Sequence, residues 1–127
     1  SEAAHGLKGA ATTIEGEFES LPSRQAAAGG WFSYDLLADP AVPLTLMCTY
    51  RGSGGLLRSF NILIDGEHVA TETLEYHPSE FLDRAYSLPL SVTQGKTRIT
   101  VRFEAREEAI AGSLFDLRLV RDLQNAQ

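Results

Sequence analysis

Apolar and polar residues alternate with a period of two along much of this chain, and two stretches show it most cleanly. In Thr97–Ala105, Ile99, Val101 and Phe103 fall on one side and Arg98, Thr100, Arg102 and Glu104 on the other. That is the pattern of a strand with one buried face. In Ser59–Leu74, Phe60, Ile62 and Ile64 alternate with Asn61 and Leu63, and the chain returns after Asp65-Gly66 through Val69, Thr71 and Thr73. Asp-Gly tolerates positive φ at both central positions of a type I′ turn, so the stretch predicts a β-hairpin. A plain two-residue connection sets Ile62 opposite Val69 and Phe60 opposite Thr71, pairs that fix the register.

The same reading extends outward from the hairpin. Trp31–Leu37 is a strand with Phe32, Tyr34 and Leu36 on one face. Leu44–Tyr50 is another, with Leu44, Leu46, Cys48 and Tyr50 alternating against Thr45, Met47 and Thr49. Between them Asp39-Pro40-Ala41-Val42-Pro43 is a turn, because proline lacks the ladder donor and restricts the residue before it. Gly52–Gly55 is a loop, and Pro78 breaks the segment Glu75–Glu80. Phe81–Leu88, ended by Pro89, is a strand, and Ser91–Lys96 holds a glycine turn. Arg106–Gly112 is a polar loop, and Leu114–Val120 is a strand with Phe115, Leu117 and Leu119 on the buried side.

The first thirty residues are less regular. Thr12–Phe18 predicts a short strand with Ile14 and Phe18 towards the core. Ser23–Gly30 predicts one helical turn, capped by Ser23 and stopped at Gly29. Short strands closed by Gly, Pro and Asp, with no long helical period, predict an all-β fold: an antiparallel β-sandwich of jelly-roll type. Residues 1–28 are expected to be a linker or edge segment packing on the sandwich, 29–121 the sandwich module, and 122–127 a frayed tail.

Composition narrows the functions. The 127 residues suffice for one domain with its own core, and 43% hydrophobic and 22% charged residues are ordinary for a globular chain. A net charge of −6 without any Lys/Arg cluster argues against nucleic-acid or anionic-membrane partners. No apolar run reaches the about 20 residues that span a bilayer. The lone Cys48 lies in an apolar run and reads as a small buried hydrophobe. The chain starts at Ser1 without a leader-like segment, and is expected to be a piece of something longer.

Catalytic patterns are missing. His5, His68 and His77 make no metal-ligand spacing, Gly52–Gly55 lacks a Walker lysine, and no GxSxG elbow occurs. The acid pairs Glu107-Glu108 and Glu72 with Glu75 read as solvated surface charge rather than as carboxylates facing across a cleft. Sugar-binding sandwiches stack an aromatic on the ring and flank it with polar groups. The candidates of that kind are Trp31, placed by alternation opposite the core face, and the loop pair Tyr76-His77 with Arg84 or Arg51 nearby. The favoured expectation is that Trp31 packs beneath the N-terminal segment and that Tyr76 covers the core edge. No cofactor is expected; Asp35 and Asp39 are the only oxygen donors that suggest a structural Ca²⁺.

Several motifs in order resemble a known family. They are Gly29-Gly30-Trp31-Phe32-Ser33-Tyr34-Asp35-Leu36, the Thr49–Ser53 segment, Phe60-x-Ile-Leu-Ile-Asp-Gly-Glu, Val69-Ala70-Thr71 and Phe81-Leu82-Asp83. Gly95-Lys96, Val101-Arg102-Phe103-Glu104-Ala105 and Ala111-Gly112-Ser113-Leu114-Phe115 complete the series. Together they resemble the C-terminal β-sandwich accessory module of bacterial proteins related to β-L-arabinofuranosidase glycoside hydrolases. The resemblance implies a galactose-binding-like or jelly-roll fold without catalytic residues, beside an N-terminal catalytic (α/α)6 barrel. It further implies a periplasmic or extracellular place. The leading expectation is an accessory role in which the module binds carbohydrate or positions substrate, with a plant-type glycan as the candidate ligand. The competing expectation is a purely structural interdomain module that binds no sugar.

Overall fold

The computed structural model describes residues 2–18, 21–51, 57–74 and 80–121. Among these residues a 3-10 turn, Ala3–His5, leads into eight strands: β1 (Lys8–Phe18), β2 (Leu21–Leu37), β3 (Leu44–Arg51), β4 (Arg58–Ile64), β5 (Glu67–Leu74), β6 (Phe81–Ser87), β7 (Arg98–Ala105) and β8 (Ala111–Arg121). One four-residue helix, α1 (Leu90–Thr93), precedes β7, where the sequence suggests only a glycine turn. The strands pair antiparallel in the order β5-β4-β7-β2-β8-β3-β6, with β1 on the remaining edge of β2. The expected all-β jelly roll is what the chain forms. The Gly52–Gly55 loop, most of Glu75–Glu80 and the tail lie outside the described residues.

The sheet folds over because β2 belongs to both halves. Its C-terminal part pairs with β7 from Trp31↔Glu104 to Leu37↔Arg98, while its N-terminal part pairs with β8 at Arg24↔Leu114 and Ala26↔Ala111. The crossing lies at Ala27–Gly30, which β1 bridges with a register jump between Ala10 and Thr12. A Cβ on Gly30 would come within 2.6 Å of the Ala10 carbonyl oxygen, so only glycine fits where the strands press together. The helical turn expected over Ser23–Gly30 is therefore absent. Its small residues mark a strand corner instead.

The alternation read in β2, β3, β4 and β7 packs the interior: Phe32, Leu46, Tyr50, Phe60, Ile62, Ile64, Ile99, Val101 and Phe103 are all buried. Aromatic rings link the two halves. Tyr50 lies 5.4 Å from Phe60, Phe60 lies 6.1 Å from Phe103, and Phe103 stacks on Phe32 at 5.1 Å. Each buried ring of this size contributes about 1.5–3 kcal/mol of transfer free energy. Cys48 belongs to the same core, and burial pushes its thiol up to about 12, which leaves it unreactive.

Two register details differ from expectation. The Asp65-Gly66 turn forms with both φ positive and Ile64 opposite Glu67, but a bulge follows. Ile62 then faces Ala70 and Phe60 faces Glu72, with Val69 the extra residue. In β8 a second bulge at Phe115 resets the phase, so that Leu114 is buried and Leu117 and Leu119 still pack against the core. Ile14 does not turn inward. It is 59% exposed, because β1 is an edge strand whose register jumps before it.

Candidate functional site

The ladder between β2 and β8 ends at Arg24↔Leu114. Beyond that pair the two strands line a cleft of ≈ 330 Å³, closed on its other sides by β1 and the N-terminal turn. Its apolar wall is Ile14, Leu114, Phe115 and Leu117, and its polar groups are Glu2, His5, Ser23, Arg24, Tyr34 and Asp116. An apolar concavity with a few convergent polar groups is the usual build of a small-ligand site.

The polar groups are organised around one carboxylate. Arg24 sets its fork on Glu2, with Nε donating to Oε2 at 2.9 Å and Nη2 to Oε1 at 2.8 Å, and the Tyr34 hydroxyl donates to the same Oε2. Bidentate pairing of this kind is directional as well as strong. The Arg24 hydrogen bond holds the Glu2 carboxyl below its ordinary value, against the opposing effect of burial. Burial first, and Glu2 second, raise the Tyr34 hydroxyl far above the usual phenol range. Across neutral pH the cluster is thus one cation, one anion and one neutral hydroxyl. Asp116 adds a second, exposed carboxylate, paired with Arg118 at 3.3 Å.

The residues singled out from sequence lie elsewhere. Trp31 stands half-buried on the outer face of β2, opposite Glu104, with the Arg102 guanidinium 4.0 Å from its ring centroid. Arg102 Nε in turn lies 2.9 Å from Glu104 Oε2. Arg84 sits on edge strand β6 opposite Cys48, which turns it inward, and its Nε is 3.4 Å from Glu72 Oε1. Tyr86 donates to the same oxygen at 2.7 Å and meets Tyr50 OH at 3.0 Å. Tyr76 and His77 lie outside the described residues. Trp31 and Arg84 thus belong to separate clusters. The acids weighed for Ca²⁺ hold protein donors: Asp35 accepts from Thr100 Oγ1 at 2.7 Å, and Asp39 from the Ala41 amide at 3.0 Å. Among the described residues, no group of three or more His, Cys, Asp or Glu gathers as a metal site would need.

Sequence reasoning overlooked the cleft. Its polar members are spread from Glu2 to Asp116, and nothing local to Arg24 or Tyr34 reports that they converge. The one readable signal was Arg24, a lone charge among the small residues of 23–30.

The fold recurs in sugar-binding proteins. A family 35 carbohydrate binding module from Clostridium thermocellum superposes with a TM-score of 0.75 at 10% identity, over 91% of this chain and 92% of that one. Xyl-CBM35, solved in complex with a glucuronic acid containing disaccharide, gives 0.66 at 18% identity over 94% and 89%. An exo-β-1,3-galactanase from Phanerochaete chrysosporium, solved with β-1,3-galactotriose, gives 0.71 at 8% identity over 94% of this chain and 28% of that one. At such identities the likeness establishes the jelly-roll fold. No curated protein matches the sequence. The family model described as "Family of unknown function (DUF6805)" matches residues 1–120, so the chain belongs to that family.

Proposed function

We propose that this domain is a non-catalytic carbohydrate-binding module and that the cleft between β2 and β8 is its sugar site. The observation that carries the reading is the cleft itself, where Ile14, Phe115 and Leu117 offer an apolar surface to a ring face. Around them Arg24, Tyr34, Ser23, His5 and Asp116 offer hydrogen bonds to hydroxyls. Likeness over nearly the whole length to carbohydrate-binding modules supports it. Such a site binds weakly and serves by raising local concentration beside a tethered catalytic domain. The galactanase supports that arrangement, since the similar region is 28% of its chain. A parent glycoside hydrolase related to β-L-arabinofuranosidases, a plant-type glycan and an exported location complete the proposal, and rest on the motif resemblance.

The test is titration calorimetry of the domain against arabinan, arabinogalactan, galactose and glucuronic acid ligands, with and without calcium. Asp116→Ala is expected to weaken binding about tenfold while the protein stays folded, the worth of one charged hydrogen bond. A clean negative at millimolar ligand discards the proposal in favour of a purely interdomain role.

A further inference from the structure

The apolar wall of the cleft does not stop at its rim. Phe115, the bulged residue of β8, meets the Phe81 ring edge-on, with centroids 4.9 Å apart and planes at 81°. Phe81 opens edge strand β6 and is 37% exposed. It faces outward, since Leu82, Arg84 and Tyr86 take the inward positions opposite Tyr50, Cys48 and Leu46. Closing the core therefore does not require it. Phe115 thus carries the cleft's apolar wall, to which Ile14 also belongs, on to Phe81, an apolar track from the cleft to β6.

From β2 to β6 the sheet order crosses three strand spacings. At about 4.8 Å each that is roughly 14 Å, more than one sugar ring covers. Polar groups line the track. Arg51 lies directly opposite Phe81, and on the same outer face Thr49 donates to Asp83 at 2.8 Å. Asp116, opposite Thr49, pairs with Arg118. Two rings meeting edge to face, with hydrogen-bonding side chains beside them, offer apolar contact and polar partners to more than one unit of a glycan chain.

We infer that the ligand is an oligosaccharide segment lying from the cleft across Phe115 onto Phe81, which is a second stacking subsite. The inference rests on the carbohydrate reading of the cleft and adds chain length to it. The experiment measures affinity for one to four units of arabino-, galacto- and xylo-oligosaccharides on the wild type, Phe81→Ala and Phe81→Trp. In a series that binds, affinity is expected to climb up to three units. Phe81→Ala is expected to remove about fivefold of that climb, and Phe81→Trp to keep it. Thermal melting shows whether each variant is folded. If Phe81→Ala is not, the wild-type length profile and Phe81→Trp decide. Binding with no dependence on length overturns the inference and leaves the carbohydrate reading standing, as does a folded Phe81→Ala that keeps the full climb. No binding in any series overturns both.

Discussion

The molecule uses the same three side-chain types twice, at two openings in its sheet. In the cleft they are Glu2, Arg24 and Tyr34; between edge strands β5 and β6 they are Glu72, Arg84 and Tyr86. In each set an arginine and a tyrosine hydroxyl converge on one carboxylate. Their settings differ. Glu72 and Arg84 are fixed by the ladders of β5 with β4 and of β6 with β3, and the hydroxyl of Tyr86 continues inward to Tyr50. Among the described residues no backbone ladder joins these two edges, so that set links them, and its inward charges make both edges poor templates for another strand. Glu2, by contrast, comes from the turn before β1, and its cluster borders open volume. Identical chemistry thus closes the fold at one opening and lines an open cleft at the other, according to whether space remains beside it.

Substitutions can break this comparison. The largest effect is expected at the closed opening. Glu72→Ala leaves Arg84 without its carboxylate and Tyr86 without its acceptor, at a cost of about 2–3 kcal/mol in urea unfolding, with sugar affinity unchanged. A loss of sugar binding in folded Glu72→Ala would mean that the two openings are not distinct in role.

Glu2→Gln is expected to cost less, about 1 kcal/mol, because glutamine keeps the side-chain volume and one accepting oxygen and removes only the charge. It carries a pH signature. The Glu2 carboxyl titrates lower folded than unfolded, so its contribution is complete above the ordinary value of 4.5 and disappears as pH falls through the lowered one. Urea midpoints of wild type and Glu2→Gln should therefore converge in acid. Parallel curves down to the acid limit would show that Arg24 does not stabilise the ionised form.

Trp31→Ala should have the smallest effect, under about 1 kcal/mol, through loss of the Arg102 contact. Cleft binding should be untouched. If it disappears in a folded Trp31→Ala, the sugar face is the outer surface of β2 and β7.

Legibility in the sequence followed the same division. Strands with one wall of core and one of solvent announced themselves: Phe60, Ile62 and Ile64, or Ile99, Val101 and Phe103, are buried as their alternation requires. Bulges were invisible, because one inserted residue, such as Val69 or Phe115, preserves composition while shifting every partner after it. Ser23–Gly30 misled for a related reason. Alanines with a capping serine satisfy helix rules locally, and only the neighbouring Ala10 carbonyl reveals why glycine stands at 30. The cleft was the least legible part, since Arg24, Tyr34 and Asp116 meet only after distant strands have paired.

The corner in β2 also constrains how the molecule is made. This strand of 17 residues can pair with β1 as soon as both leave the ribosome, but its other edge waits for Glu104 and Leu114. Until then one edge of this strand is bare, for as long as the strands between them take to be made. Pairings of such separation fold in milliseconds to seconds rather than microseconds, and an unpaired edge is where chains join one another. The Ala27–Gly30 kink interrupts that edge midway. The residues that let one strand serve both halves of the sheet thereby also deny a waiting neighbour a long, straight template.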